Sequence, residues 1–127
     1  MNFNWKLYID LADKLISYQG KAHLQEAYLR SAMSRCYYGI FCIARNHLIA
    51  KNIPIPRVNT HKFVREKYQR STRNTEKKIA KNLRRLWKER KDADYEDEAN
   101  IDIQRAKTAL ELSNRTLKSL RQIGAML

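Results

Sequence analysis

The chain has little of what turns, disulfides, metal sites and membrane spans are made from. Three glycines and two prolines among 127 residues leave few obligatory breaks, and with apolar residues recurring at helical spacing this favours an all-α domain. The two cysteines, Cys36 and Cys42, lie six apart on one predicted helix and point in different directions, so they cannot readily bridge. His23, His47 and His61 are scattered and, with the cysteines, give no metal-ligand spacing. No uncharged run approaches the ~20 residues of a membrane span; the longest, 36–44, has nine. Lys6, Asp10 and Asp13 interrupt the N-terminal apolar residues, which therefore do not read as a signal peptide. These absences point to a cytoplasmic, reduced protein without metal, cofactor or membrane contact.

Acidic residues are also scarce, 13 against 26 Lys and Arg, for a net charge of +13. Residues 57–91 hold 14 of the cations and three acids, whereas 92–102 hold six acids and no base. A concentrated basic stripe is the electrostatic footprint of a polyanion. The opposed segments are also placed to attract each other, within one chain or between two.

The length fits one domain, 1–127, and five helices can be drawn. The first, near 4–17, carries Leu7, Leu11, Leu15 and Ile16 on one side. The second, 22–51, is apolar all round at its centre, which marks a helix packed on several sides; Gly39 there marks a close crossing. The loop Asn52-Ile53-Pro54-Ile55-Pro56 follows. Thr60 is the expected N-cap of a short helix, 61–70, with Phe63, Val64 and Tyr68 inward. A fourth helix spans 75–92. Asp102 caps the last, 102–122, whose stripe is Ile103, Ala106, Leu110, Ser113, Leu117 and Leu120. The expected architecture is an antiparallel bundle.

One residue breaks the pattern of the fourth helix. Ile79, Leu83 and Leu86 share its core side, and Arg90 falls in the middle of that arc. Lys77, Lys78, Lys81, Arg84, Arg85, Lys88 and Lys91 occupy the opposite side. A guanidinium directed inward is costly unless paired or set in a wet crevice. Asp94 and Tyr95, four and five residues on, supply a carboxylate and a phenol. The second helix adds two polar stripes: Arg30, Ser34, Tyr37, Phe41, and Ser31, Arg35, Tyr38, Cys42. One reading is an internal ion-pair network. The other is that Arg30, Arg35 and Arg90 converge on a phosphate-sized crevice, for which the planar arginine fork is suited.

Arg30-Ser31-Ala32-x-Ser34-Arg35-x-Tyr37-Tyr38, followed by Arg90-x-x-Ala93-Asp94-Tyr95, resembles the HEPN domain family (higher eukaryotes and prokaryotes nucleotide-binding). The likeness is to a bacterial branch of small stand-alone proteins, and the Ile53–Pro56 loop and His61-Lys62-Phe63 helix start fit it. The resemblance implies a helical bundle with two long helices paired up and down, and a homodimer with the Arg motifs facing across the interface. Many members are metal-independent ribonucleases, often toxins paired with a minimal nucleotidyltransferase, whose chemistry uses an Arg followed four to six residues later by His. Here that later position is Tyr95, a poor base at neutral pH, and no histidine occurs after His61.

Three functions follow as expectations. The favoured one is binding of RNA or a nucleotide through Arg30, Ser31, Arg35, Tyr38 and Arg90, with Lys81, Arg84 and Lys88 on the basic face. The second is a toxin-like, metal-independent endoribonuclease of a toxin–antitoxin pair, with Arg90, Asp94 and Tyr95 as catalytic candidates and His61 as a substitute base. The third is an interaction module that docks a nucleotidyltransferase.

Overall fold

In the computed structural model, which describes residues 3–127, the chain forms five α-helices and no strand among those residues. They are α1 (Lys6–Ser17), α2 (Gln25–Ala50), α3 (Thr60–Gln69), α4 (Asn74–Tyr95) and α5 (Ile103–Gln122), with a 3-10 turn at Ala22–Leu24 leading into α2. The helices form an all-α bundle. α2 is its axis and touches all four others. Its apolar centre explains this: Met33, Cys36, Tyr37, Ile40, Phe41, Cys42 and Ile43 point in every direction, and all are buried. Each large side chain removed from water in this way contributes roughly 1.5–3 kcal/mol. Cys36 and Cys42 are both buried and unbridged.

Gly39 allows the closest crossing. A Cβ there would lie 2.9 Å from Ile9 and 3.2 Å from the Trp5 carbonyl oxygen, so α1 packs on α2 at a distance that only glycine permits. Ser34 faces Asp94, and Arg90 lies over Tyr38. This register runs α2 and α4 antiparallel and brings the two polar motifs together. α3 packs along α4, and the Tyr68 hydroxyl ties it to α2 by donating to the Ala44 carbonyl at 2.8 Å.

Several local expectations shift. α1 buries Ile9, Ala12 and Ile16, and leaves Leu7 and Leu11 48% and 44% exposed. Ile16 of the expected stripe is buried, but Ile9, seated against Gly39, and Ala12 take the core places expected for Leu7 and Leu11. α5 likewise buries Ala106, Ala109, Leu112, Ser113, Thr116, Leu117 and Leu120, with Ile103 exposed. The buried hydroxyls of Ser113 and Thr116 donate to carbonyls one turn back, which lets polar residues join the core. α3 begins one residue early: Asn59, at φ 55°, precedes it, and Thr60 donates to the Pro56 carbonyl. Asp102 does cap α5, accepting from the Arg105 N–H at 2.8 Å. No helix is long and apolar enough to cross a membrane among the described residues.

Candidate functional site

α4 divides its charges by face. Lys77, Lys78, Lys81, Arg84, Arg85, Lys88 and Lys91 are all exposed. Among the described residues none of the seven forms an ion pair. Helical spacing sets them in one band along the outside of the bundle. Lys91 also lies 4.7 Å from the Trp87 ring centroid, with Arg65 on the same ring at 5.5 Å. The acids of α4 are spent elsewhere: Arg105 of α5 donates to Glu89 at 2.7 Å and to Asp92 at 2.6 Å.

Arg90 points inward, as its position in the apolar arc requires. Its side chain is 15% exposed, and Nε donates to Asp94 at 2.9 Å. Nη2 donates to the Tyr95 hydroxyl at 3.2 Å, and the guanidinium carbon lies 4.9 Å from the Tyr38 centroid and 5.1 Å from that of Tyr95. Ser34 donates to the same Asp94 oxygen at 3.1 Å. Burial opposes the charge on Arg90, but Tyr38, Asp94 and Tyr95 outweigh it and raise its pKa above the ordinary value. α4 continues through Tyr95, so this motif sits on a helix and its i,i+4 geometry is fixed.

The three motif arginines do not share one crevice. Arg30 lies near the end of α4, where its guanidinium donates to the carbonyls of Asp92, Ala93, Glu96 and Ala99 at 3.0–3.3 Å, and to Glu26 at 2.9 Å. A helix C-terminus exposes carbonyls that need donors, and Arg30 supplies them. Arg35 faces α1 instead, 4.9 Å from the Tyr8 centroid. Five residues apart on a helix, Arg30 and Arg35 point about 140° away from each other, so Arg30 reaches α4 and Arg35 reaches α1, while Tyr38 of the Arg35 stripe still meets Arg90 of α4. Ser31 is exposed.

Sequence reasoning placed little weight on His61. At the start of α3 its ring stacks on Phe41 at 4.0 Å and meets Tyr38 edge-on at 6.0 Å. Its Nδ1 lies 2.6 Å from the Tyr37 hydroxyl. Burial raises the Tyr37 pKa, so the phenol keeps its proton, and Nδ1 is its one hydrogen-bond partner among the described residues. The direction of this bond follows the imidazole tautomer, Tyr37 donating when the ring proton sits on Nε2. Burial first, then Arg90, Arg65 and Arg45, lowers the pKa of His61. Tyr37 and Phe41 hold the ring in place, and burial with the nearby cations disfavours its charged form. No local motif announced it, because α2, α3 and α4 each contribute from a different part of the chain.

The Asp94 carboxylate and the Tyr95 hydroxyl are both held by Arg90, and neither is a free base. Tyr95 nevertheless exposes 65% of its surface, so a ring face is open to a stacking partner. No curated protein and no solved structure matches the chain. The HEPN domain model matches residues 18–123, a span that includes both polar motifs and all of α2 to α4, and the chain belongs to the HEPN domain family.

Proposed function

We propose that the protein binds RNA through the exposed face of α4, with little regard for sequence. The observation that carries this reading is the band of seven exposed cations that form no ion pair among the described residues. Cations on a solvated surface cost little to keep, and spaced along a helix they match the regular charge of a phosphate backbone. Backbone contacts position a nucleic acid without reading its bases. Tyr95, exposed beside Arg90, adds a surface on which an unpaired base can stack.

The test is a salt titration of binding to single-stranded RNA. Each neutralised phosphate steepens the dependence by about 0.7 log units per log salt, so several contacts give a steep line. Lys81, Arg84 and Lys88 lie at the middle of the band. Reversing all three to Glu abolishes binding while leaving the helical circular dichroism and the urea midpoint in place. Wild-type binding by the folded triple variant sinks the proposal.

A second reading, cleavage without a metal, is favoured by His61, which meets edge-on the Tyr38 ring over which Arg90 lies. A 2′-hydroxyl attack on phosphorus needs a proton acceptor and a cation for the developing charge. Incubating the protein with total RNA in EDTA tests it; intact RNA at high enzyme concentration removes this reading and leaves binding in place.

A further inference from the structure

We propose that two copies of this chain pair antiparallel through the outer face of α1. Ile9, Ala12 and Ile16 are the buried side of α1. At about 100° per residue, Leu7, Leu11 and Lys14 lie within about 60° of one another on the opposite side. All three are exposed, and Leu15 stands half-buried at their edge. Tyr18, just past the helix, exposes further apolar surface. α1 packs on α2 and α5, and neither covers this line. Apolar side chains exposed singly are ordinary, but a row of them along one helix is a contact surface.

Charge selects the occupant. Lys6, Asp10, Asp13 and Lys14 cancel, so α1 is the one α-helix without net charge, whereas α2 to α5 are each net positive. In a chain of net charge +13, any of those four helices would repel its own copy. An anionic bilayer favours cations around an apolar stripe, but here Asp10 and Asp13 stand beside it. An acidic protein would be drawn to α4 instead. Lys14, the polar member of the line, forms no ion pair among the described residues. With a two-fold axis between Leu11 and Lys14, each Leu11 covers the stem of the second copy's Lys14. The ammonium group then reaches Asp10 of the opposite helix, and Leu7 lies towards its Tyr18. One helix face makes a small interface, so the association is weak and reversible. α1 makes no contact with α4 among the described residues, so Arg90 and the basic band stay outside the pair.

The test is sedimentation equilibrium of the full chain, without RNA, from micromolar to several hundred micromolar. The average mass of the wild type rises from 15.1 kDa towards twice that value. Leu7→Gln combined with Leu11→Gln removes the apolar line and keeps good helix formers at both positions. Both sites are exposed, so this variant retains its circular dichroism and urea midpoint and stays at the mass of one chain. Lys14→Glu sets like charges against each other and weakens association about fivefold or more. Adding Asp10→Lys to it exchanges the two signs and restores pairing, which a partner of any other sequence would not do. A wild type that stays at the mass of one chain overturns the proposal. So does an association indifferent to the leucine pair, which would then use another face. Failure of Asp10→Lys to rescue Lys14→Glu overturns the antiparallel arrangement. RNA plays no part in this readout, so the outcome is independent of the RNA-binding reading.

Discussion

Arg30 and Arg105 flank one end of α4, and Arg45, Arg65 and Arg90 lie over the rings of Trp5, Trp87 and Tyr38; the residue type is the same and its use is opposite. Arg30 reaches four carbonyls at 3.0–3.3 Å and a carboxylate, and Arg105 grips Glu89 and Asp92. Nothing is left over for a ligand. Arg90 pairs with one carboxylate, that of Asp94, and Arg45 and Arg65 form no ion pair among the described residues. An arginine whose donors are saturated by the fold is structural, whereas a group of them with too few acids holds a positive potential in reserve. The count of partners, more than burial, separates the two.

The largest effect expected is that of Arg30→Ala. It removes the donors to the last carbonyls of α4 and to the turn that follows, in a site where the side chain is 19% exposed. Hydrogen bonds from a charged donor contribute about 1.5–3 kcal/mol, so a urea melt shows a loss of about 3 kcal/mol. RNA binding per folded molecule is unchanged. A loss below about 1 kcal/mol places Arg30 with the unsatisfied group.

Arg105→Ala comes next. It leaves Glu89 and Asp92 facing each other, but all three side chains are 27–29% exposed, and water screens part of the repulsion. A loss of about 2 kcal/mol is expected from the same melt, partly recovered in high salt.

Arg90→Ala sharpens the comparison most directly. Asp94 keeps its bond from Ser34 and is partly solvated, so the stability cost is about 1 kcal/mol. Affinity for RNA, measured by fluorescence anisotropy, falls because the surface beside Tyr95 loses a cation. A cost of about 3 kcal/mol with unchanged binding moves Arg90 into the structural class beside Arg30.

The helices were legible because periodicity records burial, and the odd position of Arg90 was legible because it broke that periodicity. The basic band was readable for the same reason: all seven positions lie on one side of a helix whose other side is fixed by Ile79, Leu83 and Leu86. What could not be read was competition between neighbouring stripes. Leu7 and Leu11 of α1 read as core from periodicity alone, but the close crossing at Gly39 seats Ile9 and turns the two leucines outward. Arg30 and Arg35 looked equivalent, yet five residues turn a helix by more than a full rotation and sent them to different neighbours. His61 was the least legible, since its role depends on Tyr37, Phe41 and Arg90, which only the tertiary fold assembles.

The smallest effect concerns pH, and it falls on the His61 side of the comparison. Burial, then Arg90, Arg65 and Arg45, lowers the folded-state pKa of His61, whereas the unfolded chain keeps the ordinary value near ~6.5. The unfolded state therefore binds a proton first as pH falls, and stability declines in that direction. The contribution of neutral His61 is fully present above about pH 6.5 and is lost as pH drops through the folded-state value. His47 acts in the same direction: burial, then Lys51, lowers its pKa against the pull of Glu76. Urea melts between about pH 7.5 and 5.5 avoid most carboxylate titration and show a modest downward slope. His61→Gln removes its share of that slope and leaves the share of His47. A slope that is the same with and without His61 shows that the imidazole does not feel the three arginines, and the positive reserve on that side of α4 is then absent.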